Sequence, residues 1–145
     1  MGGGSQSDQG RWLSVLARAD AEEVKAFVEG LLPGLEAHGL EVLENRTGLV
    51  MLPATDSAQG TCFHLGEVLV AESWVRLAGV EGYAVCLGHD LEQSLAVAIL
   101  DAALQAGLEA GFIGHFVRRQ EEVLNAADLE LARWVESTRV EMETF

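Results

Sequence analysis

Residues 69–90 read Leu-Val-Ala-Glu-Ser-Trp-Val-Arg-Leu-Ala-Gly-Val-Glu-Gly-Tyr-Ala-Val-Cys-Leu-Gly-His-Asp, and this stretch decides the fold class. Leu69, Ala71, Ser73, Val75 and Leu77 alternate with Glu72, Trp74 and Arg76, the period of a strand with one buried face. Gly79-Val80-Glu81-Gly82 reads as a hairpin turn into a second strand over 83–87. Asp90 then stands three residues before Gln93, the spacing of a helix capping box. Strands joined by short turns make an antiparallel sheet, and the helix that follows must bury its apolar stripe on it.

Upstream, the extended pattern reaches back to Thr61, with Gly66 marking a bulge. Residues 40–44 alternate apolar and acidic side chains. Asn45-Arg46-Thr47-Gly48 reads as a turn into an apolar strand over 49–52, which Pro53 closes or confines to an edge. Residues 54–60 form a polar loop. Nearer the N-terminus, Trp12, Val15 and Leu16 share one helical face, and Asp20 with Glu23 opens a second helix. Its stripe is Val24, Phe27, Val28 and Leu31; Pro33-Gly34 interrupts it and Gly39 ends it. Downstream, Leu91, Leu95, Ala98, Ile99, Ala102 and Ala106 line a third helix. Gly107, Gly111 and Gly114 break the pattern, and helix resumes from His115 towards Met142, with a break before Asp128. The expectation is an α+β fold: a mainly antiparallel sheet of about four strands, flanked by N-terminal and C-terminal helices covering one face. Residues 1–10, with four glycines, are expected to be a disordered tail, and 11–145 a single domain.

The chain has 145 residues, 23 acidic and 9 basic side chains and a formal net charge of −14. Hydrophobic residues make up 49%, which excludes disorder throughout. No apolar run approaches the ~18 residues of a membrane helix, and no basic segment precedes an apolar one at the N-terminus. A cytoplasmic protein is expected. Lys25 is the only lysine, and such a charge balance argues against binding nucleic acid or an anionic membrane. Cys62 and Cys86 form no C-x-x-C pair, so no thiolate metal site is expected; reduced buried thiols are expected, with a cross-strand disulfide as the alternative. There is no phosphate-cradling loop with Lys and no G-x-S-x-G elbow.

Gly88, His89 and Asp90 are the candidate anion contact, because a strand-to-helix junction offers free N–H groups and the positive end of the helix dipole. The alternative makes Asp90 a simple N-cap and His89 a loop residue. Asp101 falls opposite the apolar stripe with Ser94 and Gln105, a face expected to be solvated. Glu67 and Glu72 flank the bulged strand, positioned to pair with Arg76 or a partner. Trp74, among charges, marks a partner surface or the seat of a further helix. His38 and His115 read as surface residues and His64 as structural. No nucleophile–base pair is visible, so the catalytic residues stay unknown.

These elements, in this order, resemble the G subunit of the bacterial carbon–phosphorus lyase system over 11–145. The resemblance is carried by Arg11-Trp12-Leu13-Ser14-Val15-Leu16-Ala17, Thr47-Gly48-Leu49-Val50-Met51 and Phe63-His64-Leu65-Gly66-Glu67 with Val75-Arg76-Leu77. It continues through Gly82-Tyr83-Ala84-Val85, Gly88, Asp90 and Asp101-Ala102 to Thr138-Arg139-Val140-Glu141. The resemblance implies an accessory chain that works with H, I and J subunits, above all the nucleosidase-type I subunit. That assembly transfers an alkylphosphonate to C1′ of the ATP ribose and releases adenine. ATP and the alkylphosphonate are substrates of the whole complex, and no cofactor is expected on this chain alone. Glu67, Arg76, Asp101 and Arg139 would be structural or interface supports, and the isolated chain is open to self-association.

The chain departs from the family pattern at several positions. The family usually has an acidic residue where Arg46 stands and commonly Arg where Glu72 stands. It has Gly-Arg-Asp in place of Gly88-His89-Asp90, and a His and a Glu in place of Gln93 and Leu95. These departures keep a second reading open, an acidic interaction or scaffold domain without a catalytic role.

Overall fold

The computed structural model describes residues 6–56 and 61–143, with side chains described for 8–51 and 66–137. The element order is α1 (Gln6–Arg18), α2 (Ala21–Glu36), β1 (Leu40–Asp56), β2 (Thr61–Leu77), β3 (Val80–Leu87), α3 (Leu91–Ala106) and α4 (Ala110–Glu143). The strands form one antiparallel sheet in the order β1-β2-β3, so the fold is α+β as expected. Its helix α1 starts at Gln6, inside the stretch expected as tail. Among the described residues no helix is long and apolar enough to cross a membrane.

The sheet has three strands rather than about four, because residues 45–48 do not turn. Asn45 to Gly48 pair with Ser73 to Val70 in continuous register. Asn45 is held there by the Ser73 hydroxyl, which donates to its Oδ1 at 2.9 Å, and Arg46 by an ion pair with Glu72. Local turn propensity loses to cross-strand pairing. The irregularity is absorbed instead by a register shift between Val42 and Glu44. The bulge expected at Gly66 is present: the register skips from Gly66 to His64, and Gly66 has φ +131°. Pro53 falls at that shift, on the edge strand β1.

The β2–β3 turn is Ala78-Gly79, two residues earlier than expected. Leu77 pairs with Val80, and both turn residues have positive φ (53° and 80°), the geometry of a type I′ turn. Gly82 is therefore a strand residue. A Cβ there would lie 2.3 Å from the Ala98 carbonyl oxygen and 2.6 Å from Ala102 N. The glycine is what lets α3 press directly on β3.

The helix α3 is the central element, with Ser94 and residues 96–103 all buried. The sheet's inner face covers one side of it through Ala71, Ser73, Val75, Leu77, Ala84 and Cys86, and α1, α2 and α4 cover the rest. Its ends are capped as the pattern suggests. Asp90 accepts from Gln93 N at 3.0 Å, and Gly107 closes the helix in the left-handed region at φ 76°. Asp20 caps α2, accepting from Glu22 N and Glu23 N. Three expected interruptions are absent. The helix α2 runs through Pro33 to Glu36, because Pro33 lies in its last turn and Leu35 beyond it is locked in the core. Gly111 and Gly114 lie within α4, anchored by buried Ile113 and Val117. Asp128 also lies within α4, where it pairs with Arg18 instead of capping a new segment.

Cys86 is a free, buried thiol opposite Ala71. Cys62 sits nine positions further along β2, roughly 30 Å away at ~3.4 Å per residue. That separation rules out a disulfide between the two. The side chains of Cys62 and His64 lie outside the described residues.

Candidate functional site

The junction singled out in the sequence, Gly88-His89-Asp90, links the end of β3 to the start of α3. Gly88, at φ 100°, commits its N–H to the Leu69 carbonyl at 2.8 Å. Asp90 places its carboxylate on the N-terminus of α3, so the dipole there already faces an anion. Lys25 reaches over from α2 and closes on Asp90 at 2.8 Å, with Glu22 and Glu92 at 3.5 and 3.7 Å. That ammonium hydrogen bond holds the Asp90 carboxyl below its ordinary value. His89 is the exposed member of the three. The chain's single lysine was the available signal for this contact; which carboxylate it meets depends on how α2 packs.

Asp101 corrects the expectation of a solvated face. It is fully buried between α3, α1 and β3. Its Oδ1 accepts from Trp12 Nε1 at 2.8 Å, and its Oδ2 from Tyr83 N and Gln105 Nε2, each at 3.0 Å. Gln9 Nε2 adds weaker contacts at 3.3 and 3.4 Å. All these donors are neutral, so the carboxylate is satisfied by dipoles, as buried acids without a cation must be. Gln105 also donates to the Glu81 carbonyl at 3.2 Å. Together Asp101 and Gln105 occupy two backbone groups on the free edge of β3, Tyr83 N–H and the Glu81 carbonyl, which would otherwise invite another strand. The close approach at Gly82 brings α3 within reach of that edge.

Arg76 belongs to a third place, the sheet face turned away from the helices. There it pairs with Glu41 and Glu81, both at 3.3 Å. Trp74 donates to Glu81 at 2.9 Å and meets the Tyr83 ring edge-on at 5.4 Å. Tyr83 donates its phenol to Glu72, which also binds Arg46 at 2.9 Å. Tyr83 first and Arg46 second hold the Glu72 carboxyl below its ordinary value. Burial, followed by that hydrogen bond, pushes the Tyr83 phenol up to about 12. Arg46 and Glu72 are cross-strand partners, an attractive pair of opposite charges between β1 and β2. No helix of the described residues seats on Trp74, which is 41% exposed.

Glu67 is exposed beside the bulge, opposite Met51, and the side chain of Arg139 lies outside the described residues. Among the described residues, Glu67, Arg76, Asp90 and Asp101 make no hydrogen bond or ion pair with one another. No group of three or more His, Cys, Asp or Glu among them is arranged to hold a metal ion. Gln9, Trp12, Lys25 and Tyr83 are the partners that sequence reasoning missed. Besides the single lysine, Trp12 carried a usable hint, since a packed indole N–H needs an acceptor.

The family model for the phosphonate metabolism protein PhnG matches residues 8–145. A putative C-P lyase subunit protein, HtxH of Stutzerimonas stutzeri, is 31% identical over 111 residues, covering 68% of this chain. The chain spans only 30% of that curated relative's length. With a family match running from α1 to the end of α4, the chain belongs to the phosphonate metabolism protein PhnG family.

Proposed function

We propose that this chain is the G-type subunit of a carbon–phosphorus lyase assembly. In it the chain supports transfer of an alkylphosphonate to C1′ of the ATP ribose, with release of adenine. The family match over 8–145 carries this reading. The acids of the chain fit a supporting role: Asp101 ties α1 to β3, Asp90 caps α3, and Glu72 braces the open sheet face. The partners are H, I and J subunits, with the nucleosidase-type I subunit foremost, and the assembly works in the cytoplasm. ATP and the alkylphosphonate bind the assembly, not this chain alone. Adenine release from ATP and methylphosphonate by co-expressed subunits, with and without this chain, is the test. Release that is undiminished without the chain defeats the proposal.

Within the assembly, His89 makes the anion contact, since Gly88 N–H and the Asp90 carboxylate are already committed. His89→Ala then lowers adenine release about tenfold while the complex still assembles. The same commitments favour a second reading, a scaffold without substrate contact. Unchanged turnover of His89→Ala in an intact complex selects it.

A further inference from the structure

The helix α4 leads two different lives along its length. Ile113, Val117 and Gln120 are buried on the body, and Leu124 is half-buried. Their 4-3-4 spacing continues without a break through Ala127, Leu131 and Trp134, the repeat of a seam that packs on another helix. The neighbour that covers the first half is α1. Arg11 bonds Glu121 (Nε to Oε2, 3.0 Å) and Arg18 meets Asp128 at 3.3 Å, so each step of seven on α1 matches seven on α4. The two helices therefore run parallel, with arginines of one flanking acids of the other. Then α1 ends at Arg18. From Asn125 to Ser137 every side chain of α4 is exposed, and the helix extends about 28 Å from Asn125 to Glu143 at ~1.5 Å per residue.

On this overhang the seam residue Leu131 is 61% exposed, and Val135 beside the seam is 44% exposed. Asp128 borders the seam on one side and Glu130 on the other. From Asn125 to Glu143 there are five acids and two arginines, and of those acids Asp128 is paired with Arg18. A second copy of the same helix would set acid against acid, so self-pairing is disfavoured. We propose that the α4 overhang is a docking element for a different protein, one that offers an apolar groove or helix face flanked by Lys and Arg. It would extend the pattern that α1 begins and that stops at Arg18. The proposal rests on the assembly reading above, which supplies the partners for the test.

The test is pairwise and joint co-expression with the H, I and J subunits, followed by affinity capture and size exclusion at two salt concentrations. Leu131→Glu should cut affinity for the partner at least tenfold, and Glu130→Lys should also weaken it. Leu129→Glu, equally apolar and 54% exposed but about 200° around the helix from Leu131, should bind like the unmodified chain. Raising salt should weaken the unmodified complex. These side chains have no place in the core, so circular dichroism and Tm should stay unchanged in all three variants. Retained binding by Leu131→Glu in an assembly that forms normally overturns the docking inference and leaves the assembly reading standing. Failure of the unmodified chain to bind any of the three subunits overturns both. A concentration-dependent dimer of the isolated chain that Leu131→Glu abolishes also overturns the inference, because the occupant is then a second copy.

Discussion

Asp101 has four neutral neighbours pointing N–H groups at one carboxylate, so its loss should be felt throughout the body. Asn at this position keeps the shape but turns an NH2 towards donors, leaving at least one of Trp12, Gln105 or Tyr83 N without an acceptor. Each orphaned buried donor costs about 1–3 kcal/mol, so Asp101→Asn should lower urea-unfolding stability by roughly that amount. A loss below ~0.5 kcal/mol would show that the cluster is not a support. The titrating groups give a stability profile of definite sign. Glu72 and Asp90 have folded-state values depressed below 4.5 and 3.8, so the stability they add is full above those values. It is lost as pH falls through the depressed values. Tyr83, raised from 10.0 to about 12, and Cys86, raised by burial from 9.0 to about 11, act in the opposite direction. Their contributions are full below 9.0 and are lost as pH climbs to about 12. Thermal midpoints across pH should show a plateau that falls at both ends, and Tyr83→Phe should flatten the alkaline side. The sequence pointed to Asp90 as a cap because capping is local. It misplaced Asp101 because three of its donors come from α1 and β3, far away in the chain.

At the level of elements, periodicity located every helix and strand, and the errors fell on the interruptions. Residues 45–48, Pro33, Gly111 and Asp128 all carry local signals for a break, and each is overridden by a contact the local sequence cannot contain. Gly82 shows the reverse case, a glycine read as turn chemistry that serves helix–strand packing instead. Because its nearest contact is a backbone oxygen, Gly82→Ala must push α3 away from β3 and with it Asp101 from Tyr83 N. A loss of about 3 kcal/mol, the upper end for overpacking, is expected by urea unfolding. Ala102→Gly removes only the contact to the Ala102 side chain, so it should not rescue the variant; full rescue would show that the Ala98 carbonyl is not the obstacle. The turn itself offers a gain. Ala78 sits at φ 53°, a conformation costing a residue with a Cβ about 1–2 kcal/mol, whereas Asn tolerates it and Asn-Gly suits a type I′ turn. Ala78→Asn should therefore raise Tm by about 2–4 °C, as ~1 kcal/mol does in a chain of this size.

For the whole molecule, the excess of 23 acids over 9 bases has a spatial meaning that composition alone did not carry. Five of the nine cations are spent internally: Arg11 and Arg18 hold α1 on α4, Lys25 holds α2 on the start of α3, and Arg46 and Arg76 brace the sheet. Among the described residues, Glu130 and Glu136 of the α4 overhang pair with no cation of the body. Among the described residues, the core draws on α4 only as far as Leu124. Cohesion and the exposed acidic seam thus occupy separate parts of one helix, and they should be separable by truncation. A chain ending at Glu130 keeps Ile113, Val117, Leu124 and the Arg18–Asp128 pair, so its Tm should stay within about 2 °C of the full chain, equivalent to under ~1 kcal/mol. Removing an acidic overhang also lessens self-repulsion, so any small change should be upward at low salt and vanish at high salt. Differential scanning calorimetry at both salt concentrations measures this. A drop of ten degrees would mean that the distal half of α4 contributes to the fold of the isolated chain.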